Sequence, residues 1–147
     1  MNTLEHSKKL RELLKQLVRN LGILEKSEAS CCGITLGQCH ALVEIGNAKE
    51  ISLNDLADIL GLDNSTTSRT VNNLVNQDMV ERETDPNDRR YIKIKLTKAG
   101  EETFHSIEES MEEYFSLVLQ SIAEEKRAQV IESLQLIVQA VKNHKCC

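Results

Sequence analysis

Apolar residues recur along most of this chain at the spacing of a helical face. From Leu10 they fall at Leu10, Leu13, Leu14, Leu17, Val18, Leu21 and Leu24, a rhythm of three and four that predicts a long amphipathic helix near the amino terminus. Gly33 interrupts the rhythm, and Thr35 is placed to cap a second helix carrying Leu36, Leu42, Val43 and Ile45, which Gly46-Asn47 ends. Phe104, Ile107, Met111, Phe115, Val118 and Ile122 mark another helix, and Val130, Ile131, Leu134, Ile137, Val138 and Val141 a last one. One stretch alone alternates with period two: Ile92, Ile94 and Leu96 alternate with Lys93 and Lys95, as in a half-buried strand. Residues 79–84 supply its partner across Asp85-Pro86-Asn87-Asp88, where the chain's single proline presets a turn. The pattern therefore predicts a mainly α chain with long helices at both ends and a small β-hairpin whose tip is polar and cationic.

Residues 53–75 carry two short helical patterns that meet at a glycine. Ala57 is small where the two helices would cross, Gly61 supplies the turn, Leu62 plugs the corner, and Asp63 or Asn64 caps the second helix. In that helix Thr67, Val71, Leu74 and Val75 form the buried stripe, which turns Ser65, Ser68, Arg69, Asn72 and Asn76 to the opposite face. Short hydroxyls, an arginine and amides hydrogen-bond phosphate oxygens and base edges in a major groove. The bland alternative is that they only solvate a helix face. Their abundance from Asp63 to Thr70 is then unexplained, because Ser, Thr and Asn are mediocre helix formers.

Charge and length refine this picture. The net charge is −5, which argues against indiscriminate nucleic-acid binding, so a DNA-reading surface has to be local. A locally basic window coincides with the hairpin: over residues 82–98 Arg82, Arg89, Arg90, Lys93, Lys95 and Lys98 outweigh Glu83, Asp85 and Asp88. A chain of 147 residues suits one domain. No apolar run approaches the roughly 20 residues of a membrane helix, and Met1-Asn2-Thr3-Leu4-Glu5 lacks the basic-then-apolar order of a secretion signal, so a cytoplasmic protein with no membrane partner is expected.

Three linked motifs carry a family resemblance. Residues 56–69, then Asp85-Pro86-Asn87-Asp88-Arg89-Arg90, then Leu96-Thr97-Lys98-Ala99-Gly100 resemble the signature of the MarR family of winged helix-turn-helix transcriptional regulators in both order and spacing. The resemblance implies one MarR-type domain over residues 1–147: dimerisation helices at about 3–28 and 98–145, and a winged helix-turn-helix lobe at about 35–97. It implies a homodimer on double-stranded DNA with a pseudo-palindromic site, half-sites lying about one helical turn, roughly 34 Å, apart. Ser65, Thr66, Ser68, Arg69 and Asn72 are then the recognition-helix contacts; Arg90 enters the minor groove, Asp88 orients it, and Arg89 meets phosphate. The expected activity is effector-controlled repression, with no cofactor required and no enzymatic chemistry.

The effector is the open question at this level, and the five cysteines bear on it. Cys31, Cys32, Cys39, Cys146 and Cys147 do not follow a zinc-ribbon spacing. Cys39 falls in the Leu36–Cys39–Val43 stripe and is equally a small core hydrophobe. The sharper reading gathers Cys31, Cys32, Cys39, His40, Cys146 and Cys147 into a sensor for a thiophilic metal, a metalloid such as arsenic(III), or an oxidant. The rival within the same fold is a repressor answering a small phenolic or lipophilic molecule, its cysteines incidental. A thiol-dependent enzyme built on Cys39 and His40 lacks a third orienting group, and a protein-only interaction module leaves Arg69, Asn72 and Arg90 without a role.

Overall fold

The computed structural model describes residues 2–32, 34–88 and 90–145, and of residues 22–32 the backbone alone. In chain order it contains α1 (Thr3–Cys32), α2 (Leu36–Ala48), β1 (Glu50–Ser52), α3 (Leu53–Leu60), α4 (Asn64–Asn76), β2 (Val80–Thr84), β3 (Ile92–Leu96), α5 (Lys98–Gln120) and α6 (Glu124–Asn143). Two compact units divide at residues 107 and 108, inside α5. The mainly helical architecture with a small hairpin wing is the one the periodicity predicts.

The first unit is organised around Leu42 and Ile45 of α2, Leu56 of α3, Val71 and Leu74 of α4, Ile94 of β3 and Ile107 of α5, all fully buried. Removing each such side chain from water contributes roughly 1.5–3 kcal/mol. Thr35 opens α2 with a capping box: its hydroxyl accepts from the Gln38 amide at 3.2 Å while the Gln38 side chain accepts from the Thr35 amide at 3.2 Å. The helix does not end at Gly46-Asn47 but at Ala48, closed by Lys49 at φ 68°. Gly46 is a packing position, because a Cβ there would overlap the Phe104 ring of α5.

The sheet has three strands in the order β1-β3-β2, one more than the hairpin that the periodicity predicts. Glu50–Ser52 is too short to show alternation, yet it pairs with the free edge of β3, Ile51 opposite Ile94. Two further expectations are corrected. Leu62 does not plug the corner between α3 and α4 and is 45% exposed, while Val75 is 37% exposed. The stripe that α4 buries is the narrower Thr67, Val71 and Leu74, and Val75, one residue on, has already turned past its edge.

The second unit holds the rest of α5 and all of α6. Glu124 and Glu125 in the first turn of α6 and Lys142 in its last match the helix dipole, but no α6 residue is buried. Ile131, Leu134, Leu136, Val138 and Val141 are all exposed.

Candidate nucleic-acid interface

Each helix of the helix-turn-helix is locally specified. Ser52 caps α3 by accepting from the Asp55 amide at 3.1 Å, and Gly61 ends it in the left-handed conformation at φ 67°. The Leu62 amide then donates to Ala57 O at 3.1 Å, and Ala57, 2% exposed, admits the neighbouring elements closely. Asp63 is the N-cap of α4, accepting from the Thr66 amide at 2.6 Å. The Thr67 hydroxyl donates to the Asp63 carbonyl at 2.9 Å, and Asn64 donates to the Asn54 side chain at 3.0 Å, tying α4 to the first turn of α3.

The face that α4 leaves free is Ser65, Arg69, Asn72 and Asn76, all exposed at spacings of four, three and four, opposite Thr67, Val71 and Leu74. Thr66 and Ser68 flank this row half-buried. The Arg69 guanidinium donates to the Thr66 hydroxyl at 3.4 Å and the Thr70 hydroxyl to the Thr66 carbonyl at 3.1 Å, so short side chains are anchored to the helix and a cation projects beyond them.

The wing tip is closed by its own backbone and by two aspartates. The Asp85 amide donates to Tyr91 O at 3.0 Å, the Tyr91 amide to Asp88 O at 3.0 Å, and the Asn87 amide to the Asp85 carboxylate at 2.9 Å. Asp88 accepts from the Arg90 amide at 3.0 Å and its carboxylate lies 3.5 Å from Arg90 Nε, so one carboxylate fixes both the backbone and the head group of Arg90. The Arg90 side chain is 95% exposed. Arg89 lies outside the described residues.

The basic window of residues 82–98 divides between the two faces of the sheet. Lys93 and Lys95 lie on the face turned from the core, opposite Glu83 and Glu81, and form ion pairs of 3.9 Å with Glu50 and 3.5 Å with Glu81. Arg82 faces Ile94 on the other side of the sheet, in a cleft of about 610 Å³ lined also by Asn72, Val75 and Asn76 of α4. In the sequence Arg82 is only one charge among several, because period two identifies a face only once the pairing register is known.

Exit from α4 is clamped to entry into α5. Asp78 adopts φ 60°, its carbonyl accepts from the Thr97 hydroxyl at 2.6 Å, and the Thr97 amide donates to Met79 O at 3.0 Å. The same hydroxyl accepts from the Gly100 amide at 3.1 Å, capping α5.

Of the five cysteines, Cys39 is the one whose side chain is described. Cys39 is buried within α2, 8% exposed, and His40 beside it is exposed. The side chains of Cys31 and Cys32, and all of Cys146 and Cys147, lie outside the described residues. Among the described residues no group of three or more His, Cys, Asp or Glu could hold a metal ion, and no helix is long and apolar enough to cross a membrane.

The cap of α4 has a pH signature. The Thr66 backbone amide, then the Thr66 side chain, hold the Asp63 carboxyl below the usual carboxylate range, with a smaller contribution from the Arg69 charge. A group whose folded pKa is depressed stabilises the fold above its unfolded value, and loses that contribution as pH falls through the folded one. Asp63→Asn keeps a capping oxygen and removes the titration. The thermal midpoint of wild type should therefore exceed that of the variant at pH 7, the gap closing below about pH 4; a gap independent of pH would show that the charge contributes nothing.

Residues 33–90 match the model of the MarR family. A transcriptional regulator from Clostridium symbiosum, BilQ, is 31% identical over 121 residues, 82% of this chain and 84% of its own. An uncharacterised regulator of the same type from Bacillus subtilis, YdgJ, is 26% identical, covering 90% of this chain and 80% of its own. Among solved structures, FabT of Streptococcus pneumoniae in complex with DNA superimposes with a TM-score of 0.85 at 21% identity, covering 95% of this chain and 99% of that one. The MepR–DNA complex of Staphylococcus aureus gives a TM-score of 0.78 at 20% identity, with 88% and 96% covered.

Proposed function

The chain belongs to the MarR family of DNA-binding transcriptional regulators, and we propose that it acts as a homodimeric repressor on a pseudo-palindromic operator, its affinity lowered by an effector. The observation that carries this reading is the split of α4 into a buried Thr67–Val71–Leu74 stripe and an exposed Ser65–Arg69–Asn72–Asn76 row beside an oriented wing arginine. The row offers donors and acceptors to a major groove, and Arg90, held by Asp88, offers a cation to the adjacent minor groove. Exposed apolar residues on α1, Leu10, Leu13, Leu17 and Val18, and those of α6 support a second copy as partner, since a monomer rarely exposes such long apolar stripes. One recognition helix per copy then places half-sites about 34 Å apart. The relatives are regulators rather than enzymes, which supports the absence of a catalytic role.

The test is binding to the chain's own upstream DNA and to random duplex across a salt series. Arg90→Ala should weaken binding to every sequence by a similar factor, whereas Asn72→Ala should lower the preference for the operator at particular base pairs by about 1–3 kcal/mol. Equal effects of both substitutions on operator and random DNA would overturn the division of roles. The effector is approached in the same assay. Burial of Cys39 supports a packing role for it, so a thiophilic metal, metalloid or oxidant would be sensed through Cys31, Cys32, Cys146 and Cys147. Release of DNA by arsenite, zinc or peroxide that disappears when these four become serine supports that reading. Release only by a phenolic or lipophilic compound supports the pocket-binding alternative.

A further inference from the structure

A duplex read by α4 in its major groove and by the wing in the next minor groove must carry one sugar-phosphate strand between the two readers, because that strand is what separates adjacent grooves. The cleft of about 610 Å³ between α4 and β2 occupies this place. One wall is the outward side of α4, Asn72, Val75 and Asn76; the other is β2, from Val80 to Arg82; Asp78 and Thr97 close the root. Arg82 stands two residues further along the strand than Val80, hence roughly 6.6 Å nearer the wing tip and away from the Asp78 root. Of the carboxylates lining the cleft, Glu81 is engaged by Lys95 at 3.5 Å on the far face of the sheet, and Asp78 sits at the root. Among the described residues Arg82 is the one cation lining the cleft, it is exposed, and it has no ion pair.

We propose that Arg82 is a phosphate clamp: its guanidinium binds the phosphodiester of the strand that crosses the α4–β2 cleft, fixing the register of the recognition helix against the wing. The inference rests on the DNA-binding reading given above and adds a contact that neither the recognition row nor the wing tip provides. The chemistry fits. A guanidinium presents paired donors to two phosphate oxygens, and Asn76 on the opposite wall can hydrogen-bond the same backbone. A phosphate contact carries no base identity, so its signature is electrostatic. Each neutralised phosphate contributes about 0.9 to the slope of log K against log salt.

The experiment is a fluorescence anisotropy titration of full-length wild type, Arg82→Ala and Arg82→Lys against the upstream operator and a random duplex, at several salt concentrations. Arg82→Ala should weaken both by the same factor, about 10-fold or more, and reduce the magnitude of the salt slope by about 0.9 for each copy bound. Arg82→Lys should keep the slope while losing part of the affinity. Weaker binding with an unchanged slope, or a change confined to particular base pairs, overturns the clamp in favour of a structural or base-reading role. Ethylation interference on wild-type protein gives a second readout independent of any variant: the interfering phosphates should include those between the major-groove and minor-groove segments of each half-site, and their absence overturns the proposal. A wild type that binds neither duplex at any salt would instead remove the DNA-binding reading itself, an outcome distinguishable from loss of the clamp alone.

Discussion

Replacing Gly100 by alanine should lower the thermal midpoint by roughly 10 °C, a loss of about 3 kcal/mol or more. A methyl group on Gly100 would overlap the carbonyl oxygen and carbon of Met79, both backbone atoms that no rotamer change can move aside. The contact lies at the Thr97 clamp, where α5 begins against the loop that leaves α4. To admit the methyl, the Thr97–Met79 and Thr97–Asp78 hydrogen bonds must lengthen, and the exit of the recognition helix then loses its anchor. Operator affinity should fall with stability. The control is Gly37→Ala, also inside a helix, where an added Cβ meets nothing within 4 Å. That substitution should leave stability unchanged or raise it by up to about 1 kcal/mol through helix propensity alone, with a midpoint at or above that of wild type. Differential scanning calorimetry of the two variants checks the comparison, and equal midpoints would mean that the α4–α5 junction yields to an added methyl.

A charge placed on α1 should separate the proposed dimer. Leu13 and Leu17 are 50% and 42% exposed on the apolar stripe of this helix, one turn apart. Buried against a second copy, a pair of glutamates would face their symmetry mates or an apolar surface without partners, which the interface cannot tolerate. Leu13→Glu with Leu17→Glu should sediment as a monomer at concentrations where wild type is a dimer. Its operator affinity should fall by about 100-fold or more, because binding the second half-site would no longer be an intramolecular event at high effective concentration. Far-ultraviolet circular dichroism should be retained, since neither leucine belongs to the buried core. A variant that stays dimeric would move the interface away from this face, and a monomer that binds the operator as tightly as wild type would overturn the need for two recognition helices.

Local chemistry decides much of the site. The capping residues Thr35 and Asp63, the left-handed turn at Gly61 and the wing aspartates act through atoms within three residues of themselves, so composition and spacing suffice to place them. The Thr67–Val71–Leu74 stripe was legible for the same reason, its period being a property of the helix alone. Ser65, Arg69 and Asn72 followed as the complementary face.

Other features depend on partners distant in sequence. Gly46 looks like a helix stop until the Phe104 ring is found against it, 58 residues away. Three residues, Glu50–Ser52, have no periodicity to read and become a strand only because β3 offers an edge. Leu62 is apolar at the corner of the turn and Val75 on the helical stripe, but burial needs an opposing surface, and none covers them among the described residues. The charges of the wing illustrate the same limit most plainly. Alternation along the chain shows that a cationic strand follows α4; strand pairing is what holds Lys93 and Lys95 to Glu50 and Glu81 on one face and turns Arg82 to the cleft on the other. A charge count is a property of the chain, but whether a charge is available to a ligand depends on register, and register is fixed by contacts between segments rather than within them.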